Sequence, residues 1–126
     1  MRFLSMIRID ETLNQAPSER LLNDMQQLME EMTRNGTLIA TAGLTPSADG
    51  VRLRLRGGRI TATDGPFTEA KEVIGGYALF EAASKQEAIA IGRRFLEVHG
   101  DGWDIECEVR ALQDEGAGCG QALCAE

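Results

Sequence analysis

The chain has 126 residues, of which 43% are hydrophobic and 26% charged, and its net charge is −7. That length and balance suit one soluble domain with its own core, and no apolar run approaches the roughly 20 residues that cross a bilayer. The negative charge argues against a general role on nucleic acid or on an anionic membrane, where a basic footprint is expected.

The opening residues, Met1 to Met6, lack a long apolar segment and a small-residue cleavage site, so no signal peptide is read there and a cytoplasmic location is expected. Three cysteines do not make a disulfide framework. Cys107 falls in a strand pattern and is expected to behave as a small apolar residue. Cys119 and Cys124 lie near each other in the tail without a neighbouring His or further Cys, so no metal site is assigned to them.

Arg2 to Ile9 reads as a strand in which Phe3, Ile7 and Ile9 point one way and Leu4 and Met6 the other. Apolar residues on both sides imply that both sides are covered. Residues 10 to 16 read as a polar connection, and Pro17 suits the first turn of a helix. Leu21, Leu22, Met25, Leu28, Met29 and Met32 recur at helical spacing as one apolar stripe, and Asn35-Gly36 supplies the stop. A second strand, Thr37 to Leu44, follows and is broken by Pro46.

Val51 to Leu55 alternates strictly, with Arg52, Arg54 and Arg56 opposite Val51, Leu53 and Leu55. Gly57-Gly58 is a two-residue hairpin turn. Closing it there pairs Arg56 with Arg59, Arg54 with Thr61 and Arg52 with Thr63, leaving Leu53, Leu55, Ile60 and Ala62 on the other face. Val73 to Glu81 is a further strand, and its Gly75-Gly76 pair marks a bulge or a close backbone approach. Ser84 to Glu87 forms a capping box ahead of a helix whose buried side is Ala88, Ile89, Ile91, Gly92, Phe95 and Leu96. It ends near His99, which suits a cation at a helix C-terminus. Trp103 to Leu112 is the last strand, and periodicity is lost from Gln113 onward. The expected organisation is a domain over residues 1–112 and a disordered tail over residues 113–126.

Strand–helix–strand, an inserted hairpin, then strand–helix–strand predicts an α+β, ferredoxin-like fold. Two helices on one sheet face leave Leu4 and Met6, beside Arg2 and Arg8, on the other. A homodimer closing a barrel-like, partly polar interior would cover them.

The densest chemistry lies in Asp64-Gly65-Pro66-Phe67-Thr68-Glu69-Ala70-Lys71-Glu72. Asp64 or Glu72 suits a general base, with Glu69 beside them in the carboxylate cluster, and Lys71 suits an anion or an oxyanion. Arg52 and Arg54 can hold a carboxylate or phosphate, and Tyr77 can donate a proton or a hydrogen bond. The competing reading is structural. Asp-Gly-Pro is turn chemistry, Phe67 would anchor the core, and Glu69, Lys71 and Glu72 would form surface ion pairs. Arginines on a ribbon also discourage strand-to-strand aggregation.

The same nine residues resemble the signature of the YCII-related family, also called the DGPF or DGPFAETKE domain, with small substitutions at Thr68 and Ala70. Gly75-Gly76-Tyr77, Gly43-Leu44 with Pro46-Ser47, and Glu108-Val109-Arg110 extend the resemblance, although Ala111 replaces a proline common there. The resemblance implies a dimeric α+β barrel of ferredoxin-like subunits. For some members it also implies a link to extracytoplasmic-function sigma factors, hence a regulatory or protein-interaction module with the motif structural at the dimer interface. A distant branch includes a dehydrochlorinase using a His–Asp pair. This chain's His99 lies at the end of the second helix instead, so His-based chemistry does not carry over. The function expected is binding of a small, anionic molecule in a polar pocket beside the motif, with acid/base catalysis open. No cofactor is assigned.

Overall fold

The computed structural model describes residues 1–113. Strand β1 (Arg2–Ile9) leads through a short 3-10 turn (Glu11–Leu13) to helix α1 (Glu19–Arg34) and strand β2 (Leu38–Gly43). A second 3-10 turn (Ser47–Asp49) opens the hairpin of β3 (Val51–Arg56) and β4 (Arg59–Asp64). Strand β5 (Val73–Glu81), helix α2 (Lys85–His99) and strand β6 (Glu106–Ala111) complete the described chain. The result is α+β: an antiparallel four-stranded sheet in the order β2-β5-β1-β6, and the hairpin as a separate two-stranded sheet. The tail cysteines, Cys119 and Cys124, lie outside the described residues, as does the expected tail beyond residue 113.

Both helices start where a side chain can satisfy their first free N–H groups. Ser18 Oγ accepts from Leu21 N–H at 3.1 Å and Ser84 Oγ from Glu87 N–H at 3.2 Å, the arrangement an N-cap provides. Pro17 therefore precedes the cap instead of occupying the first turn. Only the serine half of the expected capping box is made at Ser84 among the described residues.

Alternation along the strands divides the sheet. Phe3 and Ser5 of β1 with Ala78 and Phe80 of β5 face the helices, packing with Leu28 and Met32 of α1 and Ala88, Ile91 and Phe95 of α2. Phe80 and Met32 are almost wholly enclosed, and burial of each such side chain contributes about 1.5–3 kcal/mol. Leu22, expected in the buried stripe, is exposed, because a stripe that wide exceeds the contact width of one helix on a sheet. Cys107 and Val109 face Gly92, where the missing side chain lets α2 lie close to β6. Burial pushes the Cys107 thiol pKa up, as for a small apolar residue.

Across the helices, Arg94 holds Glu31 through two hydrogen bonds of 2.8 and 3.2 Å, which keeps the Glu31 carboxyl below its ordinary value. Arg20 of α1 donates to the carbonyls of Val98 and His99 and so closes the end of α2. His99 itself sits with Nδ1 2.7 Å from the Phe95 carbonyl and its ring edge-on to Trp103.

Among the described residues, no helix covers the opposite sheet face. Register places Leu4 against Leu79 and Arg110, and Met6 against Tyr77 and Glu108. Its centre is thus apolar and half-buried. Its ends are charged: Arg2 lies 3.9 Å from Glu81, while Arg8 lies 3.6–3.9 Å from Glu72, Glu106 and Glu108. Strand β6 starts later than the sequence pattern suggests, since the segment from Trp103 to Ile105 leaves the ladder.

The candidate functional site

The motif begins where β4 leaves the hairpin, and Ser47 fastens it to the body. Phe67 N–H donates to Ser47 Oγ at 3.1 Å, Ser47 N–H donates to Glu11 Oε2 at 3.0 Å, and the Ser47 hydroxyl donates to Glu11 Oε1. One buried serine thereby ties the turn after β1, the exit from β2 and the middle of the motif. The hydrogen bonds from the Ser47 side chain and N–H hold the Glu11 carboxyl below its ordinary value. Gly65 completes the fastening: its N–H donates to the Gly50 carbonyl at 2.9 Å. A Cβ at Gly65 would stand 1.6 Å from the Ser47 carbonyl oxygen, so only glycine fits.

Beyond this latch, Ala70 N–H returns to the Phe67 carbonyl at 3.1 Å and forms a turn. Phe67 is not part of the main core, contrary to its expected anchoring there. Its ring lies under the Arg52 guanidinium, 3.9 Å from the carbon at its centre, and Arg52 in turn pairs with Glu69.

Two clefts flank Phe67 and share Leu44, Thr45, Pro46, Val73 and Ile74 as walls. The first, about 420 Å³, runs between the turn after β1 and the motif; Leu13, Pro66, Trp103 and Ile105 make much of its apolar lining, and Lys71 lies on its border. Asp10 and Glu11 also line it, but Asp10 is occupied capping Thr12 and Glu11 by Ser47. Lys71 forms no ion pair among the described residues. The second cleft, about 500 Å³, takes Arg8, Arg52 and Glu72.

The expected site residues therefore separate. Lys71 belongs to one cleft; Arg52 and Glu72 belong to the other, with Glu69 held at its edge by Arg52. Asp64 ends β4 opposite Val51, and Arg54 lies farther out on the hairpin opposite Thr61. Neither lines either of these two clefts. Tyr77 is on the bare sheet face, opposite Met6. The glycine pair after the motif has the role its pattern suggests. Register shifts between Ile7 and Arg8 opposite it, a Cβ at Gly75 would meet the Ile9 side chain at 2.8 Å, and one at Gly76 would meet the Ala42 carbonyl at 3.1 Å.

Glu11 and Ser47 were not legible as site residues. Their contact joins positions 36 apart in the chain, and no periodicity marks such a pair. The only sequence hint is that Pro46-Ser47 stands at the exit of β2.

Comparison with known sequences places this architecture. The YCII-related domain matches residues 1–102. The chain belongs to the YCII-related domain family. An uncharacterized protein of Rhizobium meliloti (strain 1021) is 30% identical over 98 residues, covering 78% of this chain and 79% of that relative. Among the described residues no helix of this YCII-related chain is long and apolar enough to cross a membrane.

Proposed function

We propose that this YCII-related chain binds a small molecule with an apolar body and one anionic group, in the cleft between the turn after β1 and the motif. The observation that carries the reading is Lys71: an ammonium without an ion pair among the described residues, beside an apolar concavity of about 420 Å³, within the size range of small-molecule sites. Of the three carboxylates in the lining, Asp10 and Glu11 are engaged elsewhere and Asp104 makes no ion pair with Lys71 among the described residues, so the ammonium is available to a ligand carboxylate or phosphate. Glu72, in the neighbouring cleft with Arg8 and Arg52, is the carboxylate best placed for acid/base work on a ligand that spans Phe67. Asp64 to Phe67 has the structural part, and Glu69 positions Arg52.

The strand order supports a ferredoxin-like subunit. Its bare sheet face, apolar in the middle and ion-paired at the ends, supports pairing with a second copy.

Titration of benzoate and related aromatic carboxylates into 15N-labelled protein tests the site. Saturable shifts are expected at the amides of Leu13, Thr68, Ala70 and Lys71. Lys71→Ala should weaken binding by about tenfold, the lower end for a charge-assisted hydrogen bond, with the remaining spectrum unchanged. Shifts confined to other surfaces, or equal affinity in the folded variant, would sink the proposal.

A further inference from the structure

Val51, Leu53, Leu55, Ile60 and Ala62 share one face of the hairpin, and Leu53, Leu55 and Ile60 are 71%, 72% and 72% exposed. The ribbon is tied to the body at its base, by Gly65 on Gly50 and by Arg52 on Phe67 and Glu69. Six residues per strand carry its tip roughly 20 Å outward at about 3.3 Å per residue. A two-stranded ribbon with both faces in water is marginally stable at best. An apolar row on such an arm calls for a surface to lie on.

We propose that this surface is a second copy of the chain, and that the arm of each subunit packs along the border of the other's bare sheet face. Charge selects that occupant. From Val51 to Asp64 the arm carries Arg52, Arg54, Arg56 and Arg59 against a single acid, Asp64 at its base opposite Val51, in a chain of net charge −7. The rest of the molecule is therefore acidic, and two such bodies repel unless cations lie between them. The sheet face presents an apolar centre, Leu4, Met6, Tyr77 and Leu79, bordered by Glu72, Glu81, Glu106 and Glu108, four acids that meet Arg2, Arg8 and Arg110 of the same face at 3.6–3.9 Å. The arginines stand on the ribbon's other face, and their long stems can reach past its edges to acids on either side of the apolar row. Two-fold symmetry makes each contact twice. The inference rests on the subunit pairing proposed above and adds the arm as part of the interface.

Sedimentation equilibrium on the full chain decides it, with two variants confined to the arm: Leu55→Asp/Ile60→Asp, and Arg54→Glu/Arg56→Glu. Far-UV circular dichroism and melting confirm that the body, whose core lies elsewhere, stays folded. The expected result is a wild-type dimer that weakens as salt rises, and a dissociation constant raised at least about tenfold by either variant. A wild-type dimer whose dissociation constant both arm variants leave unchanged overturns the role of the arm while leaving the pairing intact. A wild-type monomer throughout overturns both. An arm whose charge reversal abolishes binding to a DNA duplex without touching the dimer overturns the inference in favour of nucleic acid.

Discussion

Gly65→Ala isolates the contact on which the motif's geometry depends. The added Cβ would stand 1.6 Å from the Ser47 carbonyl oxygen, 2.6 Å from its carbon and 3.2 Å from Ala48 N. Ordinary contact needs roughly 3.4 Å or more, so the motif and the turn at Ser47 must separate by well over 1 Å. That separation breaks the 2.9 Å bond from Gly65 N–H to Gly50 and strains the one from Phe67 N–H to Ser47. Losing one such bond with its partner left unsatisfied costs about 1–3 kcal/mol, and forced overpacking costs a further 1–3 kcal/mol or so. A destabilisation of about 2–6 kcal/mol is therefore expected, read as the shift in urea midpoint at constant m-value. Faster hydrogen exchange at the Phe67 and Ser47 amides should accompany it. Gly57→Ala is the control: its φ of +59° strains any L residue but nothing lies within 4 Å, so only about 1–2 kcal/mol is expected. A Gly65→Ala protein within about 0.5 kcal/mol of wild type, the ordinary range for a surface change, would refute the steric argument.

Glu11 links the same latch to pH. Its folded-state value is lowered by Ser47, so its contribution is complete above the unfolded value and is lost as pH falls through the folded one. Stability of the wild type should accordingly drop more steeply on acidification than that of Glu11→Gln, and parallel urea midpoints from neutral to acid pH would count against it. Arg8→Met should leave Glu72, Glu106 and Glu108 without the cation they share, lowering stability by about 1 kcal/mol in low salt. The deficit should shrink as added salt screens the glutamates; a deficit indifferent to salt would show that packing, not charge, is lost. Ser84→Ala removes the cap on Glu87 N–H and should cost about 1 kcal/mol, measured by thermal unfolding, with an unchanged melting temperature as the contrary result.

Local order was open to reading from residue pattern alone. Strict alternation from Val51 to Arg56 and the Gly57-Gly58 turn determine the hairpin register down to Arg52 against Thr63, since the side-chain period in a strand is two. The helical stripes, the cap at Ser84, the bulge at Gly75-Gly76 and the two-sided character of β1 follow for the same reason: each depends on neighbours close in sequence. What pattern could not supply was the partner of each functional side chain. Nine adjacent motif residues looked like one cluster, yet tertiary structure splits them. Asp64 stays on the hairpin, Glu69 turns to Arg52, Lys71 borders one cleft and Glu72 the other. Ser47 and Glu11 became the hinge of the site through a contact spanning 36 positions. A period reports which face a residue occupies; only the packed chain decides what stands opposite that face.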